Sequence, residues 1–329
     1  MPALFIFGII LTVRVLTLDP PAGATPGQDA LHGLGFLWNP DLSALLNPKV
    51  WLAAVGQMFF TLSLGMGVIL TYSSYLTKTD DVALSGLTAA ATNEFAEVIL
   101  GGSIVIPAAF VFFGAQSIGA IAGSGSFNLG FVTMPQIFAG VTGGWLYGFL
   151  WFFMLFLAGI TSSVSIAQPA VAFLEDEFNL TRQKAVRIFA VAAFILVQPA
   201  VWFLHRGVLD DLDFWGGTVI IVLGATFEII LFAWVFGIGR AWDEVHKGGH
   251  IRIPGVFKYI IKYVSPTILV AMFGWWLVSE WWSVITMKGI PAENGPYVLG
   301  IRLVLLALLV ILIVLVYFAW KGRKAERYY

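Results

Sequence analysis

The sequence predicts an all-α polytopic membrane protein with eight spans. Three observations carry that reading. Apolar residues make up 59% of the 329 positions, and the mean hydropathy is +0.89. Charged residues make up 11%, against roughly 25% in a soluble domain. The apolar residues also gather into runs at about 2–18, 50–76, 84–114, 143–174, 184–204, 213–237, 257–282 and 297–320. Each run is near or above the roughly 20 residues that cross a bilayer. A net charge of −1 gives no electrostatic footprint for nucleic acid. The absence of cysteine excludes disulfides, thiolate metal sites and cysteine nucleophiles. No organic cofactor is expected, and the four histidines are scattered.

The first run could be mistaken for a signal peptide, with Leu4–Val13 as its apolar core. No basic residue precedes it and Arg14 follows it, so it reads as a spanning helix. Residues 19–49, rich in Pro, Gly and Asp, read as an ordered extracellular loop. The second run is unusual. From Gly56 to Tyr72 it is apolar, yet its middle holds Thr61, Ser63, Gly65 and Gly67. Glycine in a helix costs about 1 kcal/mol relative to alanine, so two glycines around one residue invite the helix to stop and restart. Broken backbone at membrane depth is tolerated where it is buried in protein or lines a polar cavity. Two readings follow: a mid-membrane binding site on a discontinuous helix, or a flexible packing kink.

The third run leads into residues 115–142, which contain no charged residue. A purely solvated loop is rarely so apolar, so this segment is expected to fold back as a re-entrant or helical cap. Phe127-Asn128-Leu129-Gly130-Phe131 and Met134-Pro135 would be its turns. Three more runs close a five-helix set at 237. Residues 238–256 read as a cytoplasmic loop, 257–320 as two C-terminal helices and 321–329 as a cytoplasmic tail. With the termini inside, the inner segments hold Lys78, Arg182, Lys184, Arg187, Arg240, Lys247, Arg252, Lys258, Lys262, Lys321, Arg323, Lys324 and Arg327. The outer segments keep Arg14, Lys49, Arg206, Lys288 and Arg302. The positive-inside rule therefore places both termini in the cytoplasm.

Polar residues within spans are functional candidates by default. Thr61 and Ser63 lie in the broken span. Asn93, Glu94 and Glu97 lie in the third, Glu97 being about 20 Å in at 1.5 Å per residue. Asn93 and Glu97 are four apart and share a face. Ala158, Thr161, Ser162, Ser163 and Ser165 form a cluster in the fourth. Hydroxyl, amide and backbone oxygens are the ligands a hard cation takes. They are equally the small and hydroxyl residues that let membrane helices pack closely, which is the reading favoured for Ser163 and Ser165. Glu94 with Glu97 could serve as paired acids of an enzyme, but no nucleophile–base arrangement or metal set accompanies them. Glu228, deep in the sixth run, has no evident partner in the sequence.

Several stretches together resemble the neurotransmitter:sodium symporter family. They are Gly56-Gln57-Met58-Phe59-Phe60-Thr61-Leu62-Ser63-Leu64-Gly65, Leu84–Thr88 through Asn93-Glu94 to Ala96–Ser103, Ala158-Gly159-Ile160-Thr161-Ser162-Ser163, Phe173-Leu174-Glu175-Asp176 and Asp213-Phe214-Trp215. They lie in order along essentially the whole chain. The resemblance implies part of the inverted-repeat leucine-transporter fold, spans five to twelve of its twelve. Residues 1–18 would be the last helix of the first repeat, 50–237 the whole second repeat, and 257–320 two extra helices. Partner helices of the first repeat would be missing, so the chain would be an N-terminally truncated fragment.

The resemblance also implies roles. Thr61 and Asn93 would ligate a first sodium ion; the Ala158 carbonyl, Thr161 and Ser162 would ligate a second. The carbonyls of Phe60, Thr61 and Ser63 would hold a substrate amine. Phe60, Met66, Ser162 and Ile166 would line the side-chain pocket, with Phe60 as a lid. Gln57 and Asp213 would form an outer gate; Ser74, Tyr75 and Asp176 would belong to an inner one. Met66 stands where the family's bacterial leucine transporter has phenylalanine. Glu97 stands where chloride-dependent members have serine, and would supply a fixed negative charge instead. The implied function is a sodium-coupled amino-acid symporter of the inner cell membrane working by alternating access, not an enzyme. Its partners would be an amino acid, Na⁺ and the lipid bilayer, with a homodimer left open. The rival reading is a non-transporting membrane module, an inactive or regulatory truncated product.

Overall fold

A computed structural model describes residues 2–123 and 125–326, with side chains described up to residue 321. Met1, the end of the expected tail (327–329) and Ser124 within the expected cap lie outside the described residues. The described chain is helical. It comprises α1 (Pro2–Leu16), α2 (Ala30–Trp38), α3 (Pro48–Thr61), α4 (Val68–Ser73), α5 (Val82–Phe113), α6 (Ala115–Ala122), α7 (Met134–Ala139), α8 (Gly144–Phe178), α9 (Arg182–Trp202), α10 (Val208–Val245), α11 (Val256–Ile285) and α12 (Gly295–Glu326). Among the described residues, α5 and α8 to α12 are long and apolar enough to cross a membrane. The second apolar run is realised as two pieces, α3 and α4, and the first as the 15-residue α1.

The chain divides into two compact units. The first holds residues 1–44 and 84–164, the second 45–83 and 165–329. In the first unit, Leu11 and Val15 of α1, Ile104, Ala108, Ala109 and Val111 of α5, and Trp151 of α8 form the core. Ile118, Met134 and Ile137 join it and are essentially fully buried, so the uncharged segment after α5 is held by its own apolar side chains. The segments expected as turns here are helical. Phe127 and Asn128 close a helical turn, Leu129–Thr133 is a π-helical turn, and Met134-Pro135 opens α7. Proline suits that first turn, where its missing N–H has no intrahelical partner to lose. The Trp151 indole donates to the Gly130 carbonyl (3.0 Å), fixing the π turn to α8.

Residues 19–49 are not all loop. The apolar string at 30–38 forms α2, and its Gly33 lies so close to α5 that a Cβ there would sit 2.7 Å from Pro107 Cα. Gln28 donates to the Val111 carbonyl (2.9 Å), one of the last carbonyls of α5, which has no partner within its helix. Asp29 caps α2, accepting from the His32 amide (2.9 Å) and the His32 ring. That backbone hydrogen bond, then the ring, holds the Asp29 carboxyl below its ordinary 3.8. A depressed carboxyl stabilises the fold above its unfolded value and loses that contribution as pH falls through its folded one. Amide exchange at Leu31 and His32 should therefore be flat from pH 7 to 5 after correction for intrinsic rates, and accelerate below about pH 4. An Asp29→Ala chain should show no such step.

In the second unit, Leu52 and Phe59 of α3 pack with Val219, Ile221, Val222 and Ala225 of α10 and Leu269, Met272 and Trp276 of α11. Helix α10 runs past residue 237, where Gly237 takes φ +93°, so 238–245 of the expected cytoplasmic loop are helical. The turn after it is tied by side chains. The His246 Nδ1 meets the Trp242 carbonyl (2.7 Å) and its Nε2 accepts from the Ile253 amide (3.1 Å), the pattern of one neutral tautomer. The His250 amide donates to Asp81 (2.6 Å).

Candidate functional site

The broken span has a defined stop and a defined restart. Helix α3 ends in a Schellman motif: the Leu64 N–H donates to the Phe59 carbonyl (2.9 Å) and the Ser63 N–H to the Phe60 carbonyl (3.0 Å). The left-handed position of that motif is usually glycine, yet here it is Ser63, at φ +58°. Gly65 (φ +73°) and Gly67 (φ +77°) follow in the same region, and α4 restarts from Gly67 as its N-cap. Among the described residues, the carbonyls of Leu62 and Ser63 accept no hydrogen bond. The carbonyl end of one half-helix and the amide end of the next therefore meet within six residues.

Helix α10 holds this break in place. A Cβ on Gly56 would lie 2.8 Å from Thr218 Cγ2. A Cβ on Gly65 would strike the Ile221 carbonyl and come within 2.6 Å of the Ala225 amide nitrogen. A Cβ on Gly224 would strike the Gly65 carbonyl. The stripe ends at Glu228, whose Oε2 accepts from the Gly65 N–H at 3.0 Å. Thr218, Ile221, Ala225 and Glu228 recur at three- and four-residue spacing, one face of a helix. Glu228, unassigned from the sequence, thus receives an amide that the broken helix cannot pair internally. The sequence signal that finds it is the small residue Gly224 four positions before a carboxylate in an apolar run.

The other expected residues of the second unit divide by exposure. Phe60 is exposed at 44% and Ile166 at 47%, while Met66 is half-buried against the α10–α11 core. Gln57 and Asp213 are exposed; Asp213 opens the π-helical turn Asp213–Val219. Gly217 gives its carboxylate room, since a Cβ there would lie 2.6 Å from Asp213 Oδ1. Ser74 donates to the Thr71 carbonyl (2.7 Å), and Tyr75 is 62% exposed. Asp176 is exposed on α8. The Tyr72 hydroxyl donates to Ser165 Oγ (2.8 Å), joining α4 to α8, a contact that fits Ser165 as a packing residue. Arg182 reaches back to Glu175 (3.4 Å) and Gln168 (3.3 Å).

In the first unit, Asn93 and Glu97 are half-buried on α5, Glu97 in the π-helical turn Phe95–Gly101. Glu94 is exposed. On α8, Thr161 Oγ1 donates to the carbonyls of Leu157 and Ala158, both at 3.0 Å. The Ala158 carbonyl and the Thr161 hydroxyl, both expected ligands, are therefore already adjacent. Ser162 is exposed beside them, and Ser163 donates to the Gly159 carbonyl (2.7 Å). Among the described residues, no cluster of His, Cys, Asp and Glu could hold a metal.

Residues 3–322 match the model of the Sodium:neurotransmitter symporter family. The chain belongs to this family. An uncharacterized sodium-dependent transporter of Methanocaldococcus jannaschii is 33% identical over 275 residues, which cover 83% of this chain and 54% of that protein. The sodium-dependent nutrient amino acid transporter 1 of Drosophila grimshawi is 26% identical over 287 residues, 84% of this chain and 43% of that one. The crystal structure of MhsT in complex with L-phenylalanine aligns with a TM-score of 0.70 at 29% identity, covering 83% of this chain and 60% of that one. The chain spans about half the length of the curated relatives it matches. Membership makes this symporter-family chain a multi-pass membrane protein with the fold of a transporter.

Proposed function

We propose that the chain carries the broken-helix half of a sodium-coupled amino-acid symporter that works by alternating access. The observation that carries this is the break itself. Left-handed residues at 63, 65 and 67, open carbonyls at 62 and 63, and a backbone-to-backbone seat on α10 make a rigid polar step inside an apolar span. The carbonyl end of α3 carries partial negative charge and suits a cation or an amine. An amino acid offers such an amine. The nutrient amino acid transporter of the fly and the L-phenylalanine complex of MhsT support that substrate class.

The finer assignments are proposals unit by unit. In the second, Thr61 serves sodium and the Phe60, Thr61 and Ser63 carbonyls the amine. Phe60, Met66 and Ile166 face the substrate side chain, Gln57 and Asp213 serve the outer gate, and Ser74, Tyr75 and Asp176 the inner one. In the first, Ala158, Thr161 and Ser162 serve sodium, as does Asn93; Ser162 also borders substrate, and Glu97 supplies fixed negative charge. Partner helices of the family fold complete the site, and both termini of this chain face the cytoplasm of an inner-membrane protein.

The test is amino-acid uptake into proteoliposomes by the protein expressed from its complete gene. Uptake should need an inward sodium gradient, and uptake indifferent to that gradient overturns the reading. Met66 gives a sharper check. Methionine adapts to irregular shapes, so Met66→Phe should shift the order of preferred amino acids by about tenfold between best and worst. Sodium dependence should stay as it was. A changed sodium requirement with unchanged selectivity would remove Met66 from the pocket.

A further inference from the structure

Arg302 lies in the second turn of α12, within an apolar helix where a guanidinium is costly unless paired. Its charge is paired with one carboxylate. Nε donates to Asp211 Oδ1 (3.2 Å) and Oδ2 (3.0 Å), and Nη2 to Asp211 Oδ1 (2.6 Å). Nη1 donates to the Val284 carbonyl (2.7 Å), one of the last carbonyls of α11. The guanidinium carbon also stands 5.7 Å from the ring centre of Trp215. Both ends are sheltered, at 15% and 8% exposure. One side chain therefore joins the end of α11, the start of α10 and α12.

Where the clamp lands matters. Asp211 is two residues before Asp213, and Trp215 two residues after it, both sides of the point where α10 passes into its π-helical turn. A π turn is a rare single-turn interruption of the α-helical ladder, and here side chains from other helices grip it. The fork of Arg302 grips the turn on its leading side and its indole on the trailing side. Trp215 is further set by edge-on contacts with Phe214 (5.3 Å) and Trp281 (6.1 Å). Lysine could match the charge but not the fork.

We propose that Arg302 of α12 is a positioning residue for the outer gate: through Asp211 and Trp215 it fixes the π-helical turn that presents Asp213. This inference rests on the reading of Asp213 as a gate residue. It gives the last helix, which lies outside the five-helix set, a hold on substrate entry.

The test uses the protein from its complete gene, with any cysteine outside these 329 cysteine-free residues replaced by serine. A single reporter thiol, Gly216→Cys, is placed on the turn, where an added Cβ meets nothing within 4 Å. Its reaction rate with N-ethylmaleimide is compared in three backgrounds: parent, Arg302→Lys, and the double variant Arg302→Leu with Asp211→Leu. The double variant leaves no buried charge unpaired. The rate should change at least threefold in the double variant and in the same direction in Arg302→Lys. The apparent KM for amino acid should rise at least threefold, with sodium dependence unchanged. Unaltered labelling in folded, monodisperse double variant overturns the proposal whatever uptake shows. If the double variant does not fold, Arg302→Lys carries the same decision. Altered labelling in the variants, with a parent that takes up no amino acid, upholds the positioning role and overturns the transport reading.

Discussion

Gly65→Ala should abolish sodium-dependent uptake and destabilise the protein by about 3 kcal/mol or more. Two independent penalties add. A left-handed backbone costs an L-residue roughly 1–2 kcal/mol, and Gly65 sits at φ +73°. Overpacking adds about 1–3 kcal/mol, and here the new methyl meets the Ile221 carbonyl and the Ala225 amide, backbone that cannot rotate away. At 2–4 °C per kcal/mol, thermal unfolding in detergent should fall by roughly 6–12 °C. Gly119→Ala is the control, because a Cβ there meets nothing within 4 Å. Equal Tm values for the two variants would mean that the break does not rest on α10.

Glu228→Ala should weaken amino-acid binding about tenfold, while Glu228→Gln should stay near the parent. Alanine leaves the Gly65 N–H without its acceptor, a loss of about 1–3 kcal/mol when the group is sheltered from water. Glutamine keeps an oxygen at the place Oε2 now occupies, 3.0 Å from that nitrogen. Equilibrium binding of labelled amino acid in saturating sodium separates the cases. If both variants lose binding equally, the charge of Glu228 matters and not its acceptor. If neither does, the contact is idle.

The local chemistry of the chain was legible where it is written in backbone-determining residues. Thr61, Ser63, Gly65 and Gly67 announce the break, and the uncharged 115–142 announces a segment with its own apolar anchors. Glycine and charge act through a few neighbours, so sequence displays their effect. What was illegible depends on partners far away in the chain. Glu228 looked orphaned because its donor lies 163 residues earlier. Arg302 looked like an ordinary outer charge because Asp211 lies 91 residues before it. The helix α2 was hidden by the Pro, Gly and Asp around it, although its own apolar string packs on Pro107. The turns expected at Phe127–Phe131 and Met134-Pro135 failed for a related reason. Asn, Gly and Pro mark turns in water, but here the segment lies against Trp151, whose indole donates to the Gly130 carbonyl, and beside the buried Ile118.

The seat of the broken helix on α10 is made of main chain: Gly65 against Gly224 and Ile221, with one carboxylate at its end. A frame built that way places few demands on the identity of the residues beside it. Met66 packs on the α10–α11 core by its side chain alone, whereas the left-handed turns at 63, 65 and 67 are set by main chain. Side chains on the open side of the break can therefore be replaced one at a time while the main-chain step keeps its shape.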